Sequence, residues 1–197
     1  MSYLIRSQIG LCFLVITASF FLTQPLLSNT DTYIKGFTYG GPGCPGRSVG
    51  YQFSSDRKVL TLLFDQLYVD KVPGTTSCTL SWKLRVPSGF QVTWHKVEHL
   101  GYVDIDRGQR AQLRARYKIP GFGRPITKLH SWRGPHSNDF FINHEGLSWT
   151  KTPCGGEVPM NLNERLILSG QSGYGFLGVD ELNHRVKTVL RFNYTRC

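Results

Sequence analysis

The sequence predicts an all-β protein: an antiparallel β-sandwich or jelly-roll-like single domain with two disulfides. Three observations carry this. Several segments alternate apolar and polar residues at period two, the pattern of strands with one face in a core and one in water. The segments between them are rich in Gly and Pro, with 21 and 10 of these in 197 residues, and no stretch shows a convincing helical period. Four cysteines lie downstream of an export-type leader, where an oxidising compartment favours disulfides. Hydrophobic residues make up 40% and charged residues only 18%, which excludes a disordered polyelectrolyte. The length suits one well-buried core better than two ordinary domains.

Taken in chain order, Met1 to Arg6 holds one positive charge, and Ile9 to Leu22 is an uncharged apolar run of 14 residues. These are the n- and h-regions of a secretory signal. A membrane-spanning helix needs ~20 apolar residues, and Gln24 and Pro25 interrupt this run. Residues 1–28 are therefore expected to be a cleaved signal peptide and residues 29–197 a single secreted β domain. The alternative is a retained anchor, since Leu26 and Leu27 prolong the segment. No later stretch is long and apolar enough to span a bilayer. The mature domain keeps four of the five cysteines and a net charge of about +9, against +10 for the whole chain, because only Arg6 and Cys12 are removed among the charged and cysteine residues.

Within the domain, Val49, Tyr51 and Phe53 alternate first, and Leu80, Trp82, Leu84 and Val86 follow up to the breaker Pro87-Ser88-Gly89. Phe90, Val92 and Trp94 come next, then Tyr102, Val103 and Ile105. The clearest strand is Gln109 to Ile119, with Ala111, Leu113, Ala115, Tyr117 and Ile119 on one face and Arg110, Gln112, Arg114, Arg116 and Lys118 on the other. Pro120 to Pro135 reads as a long loop rich in Gly, Pro and Arg. Strands resume at Phe140 to Trp149, Leu162 to Leu168, Phe176 to Val179 and Val186 to Tyr194.

Cys44, Cys78, Cys154 and Cys197 lack the paired C-x-x-C spacing of a zinc site, so two disulfides are expected. Three connectivities are possible. The preferred one joins Cys44 to Cys78 and Cys154 to Cys197, each stapling the start of one strand set to a neighbour, with Cys197 closing the terminal strand.

These cysteine contexts carry a family resemblance. Gly40, Gly41, Gly43, Cys44 and Pro45 form a GG-x-GCP start, Phe64-Asp65 ends the following strand, Cys78 comes next, and Pro87, Gly89 and Phe90 form a P-x-GF turn. HLGYVDIDRGQRAQLRARY, WTKTPCGGEVPMNLNERLIL and the closing Arg196-Cys197 continue the match. From about Ile34 to Cys197 the chain resembles the exported, fungal-type family called domain of unknown function 4360. Leu100 before Gly101 and the basic stretch GFGRPITKLHSWRGPHSNDFF depart from the family pattern. The resemblance implies export, two disulfides and a β fold, and it carries no catalytic residues.

No catalytic or cofactor motif withstands inspection. His95-Lys96-Val97-Glu98-His99 formally matches H-x-x-E-H, a zinc-protease motif that needs both histidines on one helical face. On a strand they lie ~13 Å apart and read as solvent-side histidines, so no metal and no cofactor is expected. Asp104 and Asp106 are weak catalytic candidates, a carboxylate pair for glycoside hydrolysis or a cation at a strand end. Glu145 or Glu164 is a conceivable further partner. The simpler reading makes the two aspartates a polar face beside the next strand's arginines. Ser172 in SGQSGYG falls one residue short of a nucleophile elbow, and GGPGCPG lacks the helix and Lys-Ser/Thr of a phosphate loop. Asn193-Tyr194-Thr195 is a glycosylation sequon.

A binding surface is the stronger signal. Arg110, Arg114, Arg116 and Lys118 share one side of a strand, with Arg124, Lys128, Trp132 and Arg133 in the segment after it. A line of cations attracts linear anions. The first functional expectation is thus a non-enzymatic secreted domain for an anionic polysaccharide or a cell-wall or matrix polymer. The alternative is a small hydrolase acting on polysaccharide through the carboxylate pair. No nucleic-acid motif is present, and nothing in the sequence sets an oligomeric state.

Overall fold

The computed structural model describes residues 32–147, 152–178 and 186–197. The expected signal peptide lies outside them. Ten strands and no helix lie among the described residues: β1 (Tyr33–Gly40), β2 (Val49–Phe53), β3 (Val59–Phe64), β4 (Val69–Val86), β5 (Phe90–Ile105), β6 (Gln109–Ile119), β7 (Phe122–Arg133), β8 (His136–Glu145), β9 (Gly156–Gly178) and β10 (Val186–Arg196). All of their pairings are antiparallel.

The pairings make two leaves. One runs β1-β4-β9-β6-β7 and the other β2-β3-β10-β5-β8. Strand β9 belongs to the first and at its last residues also joins the second: Phe176, Leu177 and Gly178 pair with Asp104, Val103 and Tyr102 of β5, while Leu177 stays opposite Val69 of β4. Aromatic contacts bridge the leaves in strand order. Phe37 of β1 meets Tyr51 of β2 at 4.6 Å, Trp82 of β4 meets Trp94 of β5 at 5.9 Å, Trp94 meets Tyr117 of β6 at 5.8 Å, and Trp132 of β7 meets Phe140 of β8 at 4.9 Å. The architecture is the expected sandwich, and the period-two residues of both leaves are its core.

The two disulfides are Cys44–Cys78 and Cys154–Cys197, the preferred pairing. The first ties the turn after β1 to the middle of β4, and the second ties the approach to β9 to the end of β10.

Two readings of strands are corrected. Residues 120–135 are not a long loop: most of them form β7, which pairs with β6 from Arg110↔Arg133 to Ile119↔Phe122. As the outermost strand of its leaf, β7 tolerates Pro125, which donates no ladder hydrogen bond. The expected strands at Leu162 to Leu168 and from Phe176 are parts of one strand, β9, which ends at Gly178, and the Ser172 string is the bend inside it; Val179 lies outside the described residues. Gly170 there has φ +107°, and a Cβ on it would collide with the carbonyl of Gly108.

Candidate functional site

Strand β6 alternates strictly, so Ala111, Leu113, Ala115, Tyr117 and Ile119 enter the core and Arg110, Arg114, Arg116 and Lys118 must point outward. What local sequence does not show is the neighbour. Strand β9 lies beside β6 with Arg165 opposite Arg114, Asn163 opposite Arg116 and Asn161 opposite Lys118. On the other side β7 sets Arg133 opposite Arg110 and Thr127 opposite Arg116. Beyond β9, strand β4 adds Thr79 opposite Asn163 and Ser81 opposite Asn161.

The outer face of the first leaf therefore carries three cross-strand pairs of like charge: Arg114/Arg165, Arg110/Arg133 and, at its far end, Lys35/Lys83, of which the last shares Glu157. Directly opposed side chains sit ~4.5–5.5 Å apart at Cβ, where like charges oppose folding. Among the described residues, Arg110, Arg114, Arg116, Lys118 and Arg165 form no ion pair, and the side-chain partners of Arg165 and Arg110 are neutral. Arg165 Nε donates to Thr75 Oγ1 at 3.2 Å, and Arg110 Nη2 donates to Ser131 Oγ at 3.3 Å.

Two shallow depressions lie in this face. One of about 510 Å³ is lined by Arg114, Arg116, Arg124, Pro125, Thr127, Asn163 and Arg165. The other, about 340 Å³, is lined by Thr79, Arg116, Lys118, Asn161, Leu162 and Asn163. They share Arg116 and Asn163, so together they form one trough across β4, β9, β6 and β7.

On the outer face of the second leaf, the opposed cations Lys96 and Arg191 are neutralised by one carboxylate. Glu98 receives Lys96 at 2.9 Å and Arg191 at 3.0 Å. Burial pushes the Glu98 carboxyl up, but hydrogen bonds from these two cations outweigh it and hold the carboxyl below its usual range. At the far end of the first leaf, Glu157 is likewise shared by Lys35 and Lys83.

A second polar constellation is sealed in the core. Glu164 of β9 is 1% exposed, His99 of β5 1%, Tyr117 of β6 0% and Thr188 of β10 0%. Thr188 Oγ1 donates to Glu164 Oε1 at 2.6 Å, and His99 Nδ1 lies 3.1 Å from that oxygen. On its other side His99 Nε2 is 2.6 Å from the Tyr117 hydroxyl, which is 2.6 Å from His144 Nδ1. One proton arrangement satisfies every link with neutral rings: His144 Nδ1–H donates to the Tyr117 oxygen, Tyr117 O–H to His99 Nε2, and His99 Nδ1–H to Glu164. Burial, then the neighbouring Glu164 charge, pushes the Tyr117 hydroxyl far above its ordinary value. Burial, then the charges of His99, Lys128 and His130, pulls His144 down to about 4. The chain of groups ties both leaves together. With its members this deeply enclosed, it serves as a structural network rather than a place for substrate.

The remaining candidates fall as follows. His95 is exposed and His99 buried, so the reading of both as solvent-side histidines is corrected for His99. The cause is a register shift between Arg191 and Phe192 of β10, opposite Lys96 and Trp94, which leaves His95 as the extra residue of a bulge. After it the inward phase is reset to Val97, His99, Gly101 and Val103. Asp104 lies half-buried on the outer side of β5 opposite Ser137, and Asp106 is exposed just past the strand. Among the described residues neither forms an ion pair with the β6 arginines, which lie on the other leaf. Glu164 is in the core and Glu145 is exposed on β8, so neither joins the aspartates. Lys128 is opposite Ala115, on the inward side of β7, and Trp132 is buried between His130 and Phe140. Thus Arg114, Arg116, Lys118 and Arg124 come together in the trough, Arg110 and Arg133 flank it, and Lys128 and Trp132 do not reach it. Arg165, Asn161 and Asn163 are the residues missed. Their own alternation with Leu162, Glu164 and Leu166 marked them as outward, but which strand they adjoin is a long-range fact.

A protein described as "Uncharacterized secreted protein" from Arthroderma benhamiae is 29% identical over 175 residues, covering 84% of this chain and 71% of that one. Together with the two disulfides, this relative marks the chain as a secreted protein. Among solved structures, TmCBM61 in complex with beta-1,4-galactotriose aligns with a TM-score of 0.31 at 10% identity, covering 82% of this chain and 88% of that one. The family 11 carbohydrate-binding module from Clostridium thermocellum, with a mixed-linked tetrasaccharide, aligns at 0.23 and 10% identity over 83% and 85%. Residues 30–197 match the family described as "Domain of unknown function (DUF4360)", and the chain belongs to it.

Proposed function

We propose that this protein is a non-enzymatic secreted binding domain that holds an anionic polymer of a cell wall or extracellular matrix in the trough on its first leaf. The observation that carries the reading is the pairing of Arg114 with Arg165 beside Arg116, in a depression whose lining includes no carboxylate. In the second leaf the directly opposed cations Lys96 and Arg191 share the carboxylate of Glu98, whereas no carboxylate lines the depression at Arg114 and Arg165, so their repulsion stands uncompensated within the fold. A bound oxyanion removes the repulsion, and guanidinium forks suit the oxygens of carboxylate or sulfate bidentately. The trough is open and shallow, which fits a chain running across the sheet better than an enclosed small molecule.

The test is chromatography on a heparin-type matrix, comparing the mature protein with an Arg110→Ser/Arg114→Ser/Arg116→Ser triple variant. Salt-dependent retention that the variant loses supports the reading. Co-elution of the two proteins means that these arginines do not contribute to retention, and the site assignment is then withdrawn.

A further inference from the structure

We infer that the trough is built for an acidic polysaccharide in which charged and uncharged sugars alternate, rather than for a polymer charged at every unit. This rests on the polyanion-binding reading above and specifies its ligand. The argument is the chemical difference between the two joined depressions. The larger one is ringed by Arg114, Arg116, Arg124 and Arg165. Guanidinium groups donate hydrogen bonds and accept none, so that end recognises acceptor oxygens bearing negative charge.

The smaller depression replaces guanidinium with amide and hydroxyl groups: Asn161, Asn163 and Thr79, with Lys118 at its side and Arg116 at the junction. Amides and hydroxyls both donate and accept, which matches sugar hydroxyls, since these also do both. A carboxylate or sulfate group placed there sets its negative charge against the amide oxygens of Asn161 and Asn163, which a sugar bearing hydroxyls alone does not. The orientation of Asn163 is fixed by a hydrogen bond. Asn163 Nδ2 donates to Thr79 Oγ1 at 2.7 Å, which directs its Oδ1 away from that bond as an acceptor. Asn163 also lines both depressions, so it stands where a charged ring would join a neutral one. The ladder repeats every ~6.6–6.8 Å along β6, so the positions of Arg114, Arg116 and Lys118 pass in two steps from the guanidinium end to the end where a single ammonium stands beside amides and a hydroxyl.

Titration calorimetry with three probes of matched length tests this: hyaluronan oligosaccharides, in which charged and neutral sugars alternate; oligogalacturonate, charged at every sugar; and poly-L-glutamate. The expected result is tightest binding of the alternating oligosaccharide. An Asn161→Ala variant, with an unchanged melting temperature as the control for folding, should lose five- to tenfold in affinity for it and keep its affinity for poly-L-glutamate. Equal affinity for all three probes, or an alternating-glycan affinity that Asn161→Ala leaves intact, overturns the inference while leaving the polyanion reading standing. If an Arg114→Ser/Arg116→Ser/Arg165→Ser variant binds every probe as the parent does, both fail.

Discussion

Tyr117 shows how much one hydroxyl can hold. Its ring packs edge-on against Trp94, and its oxygen is the middle link between His99 and His144. Tyr117→Phe keeps the ring but strands one nitrogen of each buried histidine, so it should cost about 1–3 kcal/mol, read as a lower midpoint in denaturant with an unchanged slope. His144 supplies a pH dependence. Its folded value near 4 lies below the ~6.5 of an unfolded histidine, so the unfolded chain binds more protons between those values. Stability is then complete above about pH 6.5 and falls as the pH drops toward 4, by about 1–2 kcal/mol after allowing for screening by solvent. Melting curves from pH 7.5 to 4 should show this slope, and His144→Gln should flatten it. None of this was legible locally. The string around His95 and His99 reads as a plain alternating strand, and only the partner strand β10 reveals the bulge that sends His99 inward.

At the scale of elements, legibility followed strength of alternation. Strand β6 was read to the residue because its period is unbroken and its two faces differ sharply in polarity. Strand β7 was missed because its inward positions include Lys128 and His130, and Gly123 and Pro125 look like turn chemistry. Pairing with β6 overrides that local signal. Strand β9 looked like two strands because its glycines read as a turn, whereas they let one strand bend from the first leaf to the second. The terminal strand β10 is held at its end by Cys154–Cys197, and Cys197 N–H also donates to the carbonyl of Gly89 at 3.0 Å. A Cys154→Ser/Cys197→Ser variant should lose ~2–5 kcal/mol. Its amide exchange should rise first over the last residues of β10 and the adjoining start of β5. Uniform exchange across all strands would show instead that the bridge acts on the unfolded chain alone.

Across the whole molecule the charge is divided by face. The second leaf pairs Lys96 and Arg191 with Glu98, while the first gathers Arg114, Arg116, Lys118 and Arg165 beside amides and hydroxyls. Half of that surface was legible, because one strand displays its arginines at alternate positions. The other half depends on β9 lying beside β6, a pairing of residues about fifty positions apart that no local pattern encodes. The same topology explains why Trp132 is not part of the surface, since its place in the β7 ladder turns it inward onto Phe140. The claim is that this arrangement, and not the overall charge of +10, binds polyanions. The most direct test compares two variants of equal net charge, Arg114→Ser/Arg116→Ser/Arg165→Ser and Lys58→Ser/Lys71→Ser/Lys187→Ser, by the salt dependence of their affinity for an acidic polysaccharide. The account predicts that the first variant loses most of the affinity and flattens the salt slope while the second stays close to the parent protein; equal losses in the two variants would contradict it.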